Sequence, residues 1–412
     1  MAMLTQTQLI SAIEQLNYRV TVGDLATAQG LDLRIANREL VNLASQSAAN
    51  LQVSETGEIA YVFAPDLRQR LFKRSLRLRL LALTQLAWKW LFWLFRLSFG
   101  ILLIVAIAIV VIGIVLAVIA IQTQKDQERE ERSEGRSINL GGFSPGGWIY
   151  WGDAWSVFTP NYYEQAATAS TQSTELGFLE AVFSVLFGDG NPNRNLEQQR
   201  WQAIANLIRQ HQGAVIAEQV APYLDQVSTA SEDYMLPVLV KFNGYPQVSE
   251  AGELAYNFPD LQQVATERPP QSDLGYLVEQ PWQFSRATQG QVFQTIGLGL
   301  FYLVAALGLG GLLQEVEQIS GVLTVIASLY GWLLGYAILF ITIPGIRFLW
   351  LRGLNTKINQ RNRDRQARLT VLQNQAPKLA FAAQLAIAQQ VVDPTQLAYN
   401  TEVDYLEQSD PN

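Results

Sequence analysis

The sequence predicts a mainly α-helical membrane protein that carries two copies of a small α+β module. Three observations predict it. Apolar runs at residues 97–121, 292–313 and 322–346 each exceed 20 residues, enough at about 1.5 Å per residue to cross a hydrocarbon core of about 30 Å. Basic charge sits beside those runs, eight bases against one acid at 64–96 and eight against one at 347–378. One stretch also occurs twice: Val53–Phe63 reads VSETGEIAYVF and Val248–Phe258 reads VSEAGELAYNF, identical at eight of eleven positions.

The spacing of 195 residues holds back to the start of the chain. It matches Leu9 with Ile204, Ile13 with Ile208, Val20 with Val215, Leu25 with Val220 and Leu40 with Met235, apolar in both copies. In the first copy, residues 1–67, Leu9, Ile10, Ile13 and Leu16 form a helical stripe over Thr5–Leu16. Tyr18–Thr21 is β-prone. Val22–Gln29 is a second helix ended by Gly30, and Asp32 caps a third running to about Ser47 with Leu33, Ala36, Leu40 and Leu43 on one side. Two alternating segments joined by Glu55-Thr56-Gly57-Glu58 then read as a β-hairpin. Helix, short strand, helix, helix, hairpin is the order of a winged helix, which residues 4–63 and 199–258 resemble; the second module spans 196–261.

Winged helices often bind DNA through the third helix. That helix offers Arg34, Asn37 and Arg38 in copy one, offset by Asp32 and Glu39, and Thr229, Glu232 and Asp233 in copy two. Residues 1–63 hold three bases and six acids, and residues 196–261 three and eight. A phosphate-binding surface needs the reverse, so nucleic acid is disfavoured and protein–protein contact is the expected use.

Residues 68–96 form a basic and aromatic juxtamembrane helix. Arg74, Arg77 and Arg79 with Trp88, Trp90 and Trp93 are candidate membrane-interface residues, as are Arg347 and Arg352 after the last span. Leu80–Phe95 is apolar but short and interrupted by Lys89. It reads either as a fourth crossing that turns near Arg96–Gly100 or as an interfacial helix. Residues 97–121 are the first transmembrane helix and 292–346 a hairpin whose short loop, Gln314–Gly321, holds acids and no bases. Ala306 with Gly310, and Gly331 with Gly335, place small residues at four-residue spacing for close helix packing. Module one and the tail carry cytoplasmic basic flanks, and copies of one module are expected to serve one compartment.

Residues 122–195 read as a linker with a charged run, an aromatic loop at Asn139–Tyr163 and a short apolar helix at Phe178–Phe187; residues 262–291 are a second linker. Asp189, Asn191, Asn193 and Asn195 alternate as in a calcium loop, but Arg194 and Arg200 replace its required glycine and glutamate. A turn with Asn195 as helix cap is the plainer reading. Residues 347–412 form a basic helix, interrupted at Pro377, that is expected to lie along anionic lipid, and an acidic tail expected to be flexible after Asp393.

The chain has no cysteine, which excludes disulfides, thiolate metal sites and cysteine nucleophiles, and one histidine, His211, expected to be a half-buried helix-end residue. The N-terminus lacks the basic and apolar regions of a signal peptide. No acid–base pair, nucleophile motif or phosphate loop stands out, so neither an enzyme nor a cofactor is expected.

The run GFLEAVFSVLFGDGNPN (Gly177–Asn193), Arg200-Trp201 and AEQVAPYLD (Ala217–Asp225) resemble an uncharacterised family of cyanobacterial and chloroplast membrane proteins, over most of residues 70–350. Some plant members of that family are catalogued as iron–sulfur cluster biosynthesis proteins; this chain has no cysteine to hold a cluster. The resemblance implies a thylakoid or plasma membrane location. Together these readings lead to a membrane-anchored scaffold or assembly factor, with membrane lipids and membrane or peripheral proteins as partners and the oligomeric state open. The alternatives are a membrane-tethered transcription regulator, and a transporter or channel component; charge-free spans speak against the last.

Overall fold

The structure is a computed structural model that describes residues 6–55, 57–74, 76–131, 177–228, 230–266, 275–317, 319–394 and 397–401. It is mainly helical, with small sheets, and divides into two compact units. Unit 1 comprises Met1–Gln85, Asn191–Pro281 and Leu354–Asn412; unit 2 comprises Leu86–Gly190 and Trp282–Gly353.

Unit 1 opens with α1 (Gln6–Gln15), β1 (Arg19–Val20), α2 (Val22–Gln29), α3 (Leu33–Ser47), β2 (Asn50–Ser54), β3 (Ile59–Val62) and α4 (Leu67–Arg74). Local chemistry sets these boundaries. Thr21 and Asp24 close a capping box on α2, Gly30 ends it in the left-handed region at φ 64°, and the Asp32 carboxylate accepts from Arg34 N–H at the start of α3. Ile10, Ile13, Leu25, Ala36 and Leu40 fill the core beneath the hairpin.

The helix α6 (Phe178–Phe187) belongs to unit 2. Unit 1 continues with α7 (Leu196–Gln210), β4 (Ala214–Val215), α8 (Ala217–Val220), α9 (Leu236–Phe242), β5 (Tyr245–Val248), β6 (Leu254–Asn257) and β7 (Gln263–Val264). Its strands pair at the same places 195 residues on. Arg19 faces Val62 and Val53 faces Ile59 in the first sheet; Ala214 faces Asn257 and Val248 faces Leu254 in the second.

The two modules differ at the third helix. α3 has 15 residues and α9 has seven. Pro237 falls where the first copy has Asn42, in mid-helix. It lacks an N–H and clashes with the preceding turn, so the helix begins there instead. Glu232 and Asp233 therefore lie before α9, Asp233 opening a 3-10 turn (Asp233–Met235) that leads into it, and Thr229 lies outside the described residues.

Unit 2 is built on three helices long and apolar enough to cross a membrane, within Leu86–Lys125, Gln289–Glu315 and Val322–Asn374. The first belongs to α5 (Leu76–Glu131), a single 56-residue helix with no turn at Arg96–Gly100. Leu80–Phe95 is thus neither a separate fourth crossing nor a separate interfacial helix, and the expected linker start at 122–131 is still helix. Nothing between Leu76 and Glu131 stops the helix, since Gly100 and Gly113 are its only glycines and it holds no proline. Trp88, Trp90 and Trp93 are exposed on it, while the side chains of Arg74, Arg77 and Arg79 lie outside the described residues, as does the aromatic loop 139–163.

α10 (Gln289–Glu315) starts at a Thr288–Gln291 capping box, and α11 (Val322–Val371) runs through Pro344. They pack as small residues against large ones. A Cβ on Gly299 would lie 2.5 Å from the Phe340 ring, and one on Gly310 would lie 2.0 Å from the Tyr330 hydroxyl. Ala306 is fully buried and the Tyr302 hydroxyl donates to Leu333 O at 2.6 Å. Gly331 and Gly335 do not take part as the spacing suggested, for a Cβ on either meets no atom within 4 Å. Leu333, Ala337 and Phe340 occupy the facing side of α11 instead. Toward one end, Ala117 of α5 packs with Val316 and Leu323; toward the other, Phe99 stacks edge-on with Phe183 and Phe187 of α6.

The C-terminal part departs most from expectation. After α11 come α12 (Ala376–Gln384), β8 (Gln390–Val391) and β9 (Leu397–Asn400). β8 pairs in parallel with β7, and β9 adds an antiparallel strand to β2. Within the tail expected to be flexible after Asp393, Leu397–Thr401 is folded, because the free edge of β2 supplies its main-chain partners.

Replacement of Gly299 or Gly310 by Leu is expected to lower the melting temperature in detergent by several degrees, while Gly331→Leu leaves it unchanged, as checked by fluorescence-detected size exclusion after heating.

Candidate interaction surfaces

The first surface is the seam between the two modules of unit 1. Asp24 is 4% exposed and carries most of it. One oxygen accepts from Arg209 Nη1 at 3.1 Å; the other accepts from Ala265 N–H at 2.8 Å and from Thr21 N–H at 3.2 Å. The Thr21 hydroxyl donates to Gln263 O at 2.8 Å, and Arg209 Nε donates to Leu261 O at 2.8 Å. A buried carboxylate needs such a set of donors, since desolvation without them is costly. Two glycines permit the approach. A Cβ on Gly23 would lie 2.7 Å from Asp260 O, and one on Gly30 would lie 2.8 Å from Gln198 O. The Asp24–Arg209 pair has no local signature, because its partners are 185 residues apart.

The second surface joins the C-terminal helices to module two. Arg365 is the largest fully buried side chain, 1% exposed. It donates to Glu279 Oε1 at 2.6 Å, to Leu277 O at 3.1 Å and to Asp225. Arg361 holds the other side of Glu279, and Arg368 Nη1 donates to Ala221 O and Leu224 O at 3.0 and 2.6 Å. Lys378 pairs with Glu218 at 2.7 Å and Glu232 at 2.9 Å. These bases were expected on lipid head groups; acids and carbonyls of module two, and Glu279 of the segment after it, claim them instead. Burial alone raises the carboxyl pKa of Glu279, but the bonds from Arg361 and Arg365 outweigh it and hold it below the usual range. Asp225 is lowered likewise, burial being overcome by Arg365 and Arg200. For Lys378 burial lowers the pKa, and the bonds to Glu218 and Glu232 reverse it to a raised value.

Unit 2 has its own polar cluster at the end nearer Phe99. Arg96 pairs with Asp189 at 2.8 Å, Ser184 touches both Asp189 and Ser285, and Arg286 N–H donates to Asp189 at 2.8 Å. Arg347 donates to Ser184 O, Val185 O and Phe284 O and lies over the Phe284 ring. A Cβ on Gly188 would strike its guanidinium at 2.1 Å. Arg347 is thus an internal tie of α6 rather than a lipid-facing anchor, whereas Arg352 is exposed. Asp189 and Asn193 are spent on protein partners, Asn193 exchanging two bonds with the Gln280 backbone at 2.8 Å each. Among the described residues no acid or histidine cluster of metal-binding size occurs. Asn195 precedes α7 but makes no side-chain cap, its φ of −103° and ψ of 14° lying outside the extended region of a capping residue. His211 ends α7 and its ring is 3.1 Å from Gln219 Nε2; burial lowers its pKa.

The third surface is the outer side of α3. Arg34 and Arg38 side chains are 81% and 70% exposed, each beside an acid, Asp32 at 3.4 Å and Glu39 at 3.5 Å. A cleft of about 390 Å³ opens there, lined by Leu33, Arg34, Asn37, Ile59, Tyr61 and Asn243 among others.

Replacing Arg365 by Met leaves buried Glu279 with Arg361 alone and removes the buried donor to Leu277 O and Asp225. The expected loss is about 3 kcal/mol, read as a shifted urea midpoint. Asp225 and Glu279 stabilise the fold fully above their ordinary values of 3.8 and 4.5, and that stability is lost as pH falls through their lower folded values. Hydrogen exchange over residues 354–384 is therefore expected to accelerate below about pH 4.

Comparison with known proteins adds one relative. A protein of Arabidopsis thaliana, "Uncharacterized protein At5g03900, chloroplastic", is 32% identical over 425 residues, covering 97% of this chain and 79% of the plant protein. No family model matches the chain. No solved structure matches it either. With that identity over nearly its whole length, the chain belongs to the family of the Arabidopsis chloroplastic protein.

Proposed function

We propose that the chain is a membrane-anchored scaffold or assembly factor of a thylakoid or plasma membrane. Its three long apolar helices cross the bilayer, and two winged-helix-like modules, descended from one duplicated unit, present a protein-binding head. The observation that carries this reading is the division of labour within unit 1. The α2 side of module one and the Asp225 side of module two are taken up by internal contacts, while the outer side of α3 and its cleft stay open. An acidic head with an open helix face suits a protein partner better than phosphates.

The chloroplastic name of the plant relative supports a photosynthetic membrane. The basic flanks favour the cytoplasmic or stromal side for the head. A DNA-reading role has less support: Arg34 and Arg38 each face an acid, and the matching helix of module two has seven residues.

Affinity purification of the tagged full chain from detergent-solubilised membranes is expected to recover a stoichiometric protein partner. Arg34→Glu combined with Asn37→Asp is expected to lose that partner without a change in melting temperature. Recovery of the chain alone, or nanomolar salt-sensitive DNA binding by it, contradicts the proposal.

A further inference from the structure

One tyrosine occurs in both hairpins, and its hydroxyl is paired in one module and not in the other. At the spacing of 195 residues Tyr61 of β3 corresponds to Tyr256 of β6. Both are buried, 5% and 4% exposed. The Tyr256 hydroxyl donates to Glu232 Oε2 at 2.8 Å, and the other oxygen of Glu232 accepts from the Lys378 ammonium at 2.9 Å. Phenol, carboxylate and ammonium thus form a closed set in module two. In module one the counterpart of Glu232 is Asn37, and among the described residues nothing bonds the Tyr61 hydroxyl. An unpaired hydroxyl on so buried a side chain is unfavourable, and a bound group that pairs it recovers that loss. Burial raises the pKa of Tyr61, which keeps the hydroxyl a donor at neutral pH.

Tyr61 lines the cleft beside α3, whose volume of about 390 Å³ falls within the range of small-molecule sites, about 300–1,000 Å³. Alternation along β3 puts Ile59 and Tyr61 on the cleft side and Ala60 on the opposite side, against Ala265 and Val392. Val22 and Leu33 add to the apolar lining. The polar groups divide between two walls. α3 brings the Arg34 guanidinium and the Asn37 amide, both exposed. The pair of Arg34 with Asp32 is long at 3.4 Å, and the same carboxylate already accepts from the Arg34 N–H at 2.9 Å as the cap of α3. Module two brings Asp260 and Asn243, whose Nδ2 donates to Asp260 Oδ2 at 2.7 Å. That bond takes one carboxylate oxygen and leaves the other as an acceptor.

We propose that this cleft is a binding site for a free α-amino acid with an apolar side chain. The ligand carboxylate takes the part that Glu232 plays in module two: it accepts from the Tyr61 hydroxyl and from Asn37, and it pairs with Arg34. The ligand ammonium donates to Asp260. The apolar side chain lies against Val22, Leu33 and Ile59. An anion alone would face Asp260 and a cation alone would face Arg34, so the two walls select a molecule that carries both charges. Module two needs no such ligand, because Glu232 and Lys378 supply the same two charges from the chain itself. This goes beyond the protein-partner reading and does not depend on it.

The test is titration calorimetry of the full chain in nanodiscs with L-leucine and L-phenylalanine. At least one is expected to bind with a Kd below about 1 mM. Tyr61→Phe and Asp260→Asn are each expected to weaken that binding about fivefold or more. Tyr61→Phe removes a hydroxyl that bonds no described residue, so the melting temperature is expected not to fall. Tyr256→Phe breaks the bond to Glu232; it is expected to lower the melting temperature and to leave binding unchanged. For leucine, 4-methylpentanoate lacks the amine and 3-methylbutylamine lacks the carboxylate, and each is expected to bind at least about tenfold more weakly. No binding of either amino acid below about 1 mM, equal binding of either analogue, or indifference to Tyr61→Phe overturns the proposal. N-acetylleucine amide bound as tightly as leucine would assign the cleft to a residue within a partner chain, which also overturns it. Tyr61→Phe leaves the exposed side of α3 intact and is expected to leave partner capture unchanged, so amino-acid binding and the proposed function can fail separately.

Discussion

The buried carboxylate of Asp24 is the constraint on which the arrangement of unit 1 depends. It closes the cap of α2 with Thr21 and, through the same two oxygens, receives Arg209 from the second module and the Ala265 amide just after it. Helix start and module seam are thus one interaction. The backbone of α2 comes close enough for this only because positions 23 and 30 carry no Cβ. An apolar seam would leave the angle between modules open; a carboxylate with three fixed donors does not.

The same element does different work in the two modules. At the spacing of 195, Gly23, Asp24 and Gly30 correspond to Glu218, Gln219 and Asp225. In module one these positions are small or capping, and they meet module two. In module two the acids meet Lys378 and Arg365 of the C-terminal helices, and Gln219 keeps the capping role by accepting from Ile216 N–H at 2.9 Å. Module one contacts module two, and module two contacts the C-terminal helices, in head-to-tail fashion. Such a chain of unlike contacts stops only when its last surface is closed, and here the C-terminal helices close it.

Much of this was legible in the sequence because it is local. The stripe of α1, the Asp32 cap, the Gly30 stop and the glycine hairpin turn each depend on residues within a few positions of one another. What was not legible depends on partners far along the chain. A run of arginines at 361–368 has the same appearance whether lipid phosphates or Glu279 and Asp225 neutralise it, and only the fold decides. Helical spacing pairs Gly331 with Gly335, but spacing does not say which side of α11 faces α10. β9 bonds through its main chain, which leaves no hydrophobic pattern in an acidic tail. One signal was present nonetheless: Leu397–Asn400 repeats the Leu-Ala-Tyr-Asn of Leu254–Asn257, a stretch already recognisable as strand. Pro237 likewise announces the shortened third helix of module two.

The proposed function places both modules and the C-terminal tail in one head on one side of a membrane. Single cysteines at Ser45 in module one, Val240 in module two and Gln373 in the tail, each in a chain with no other cysteine, measure it directly. A membrane-impermeant maleimide is expected to label all three from the same side of sealed, oriented vesicles. Labelling of one module from the opposite side to the other would contradict it.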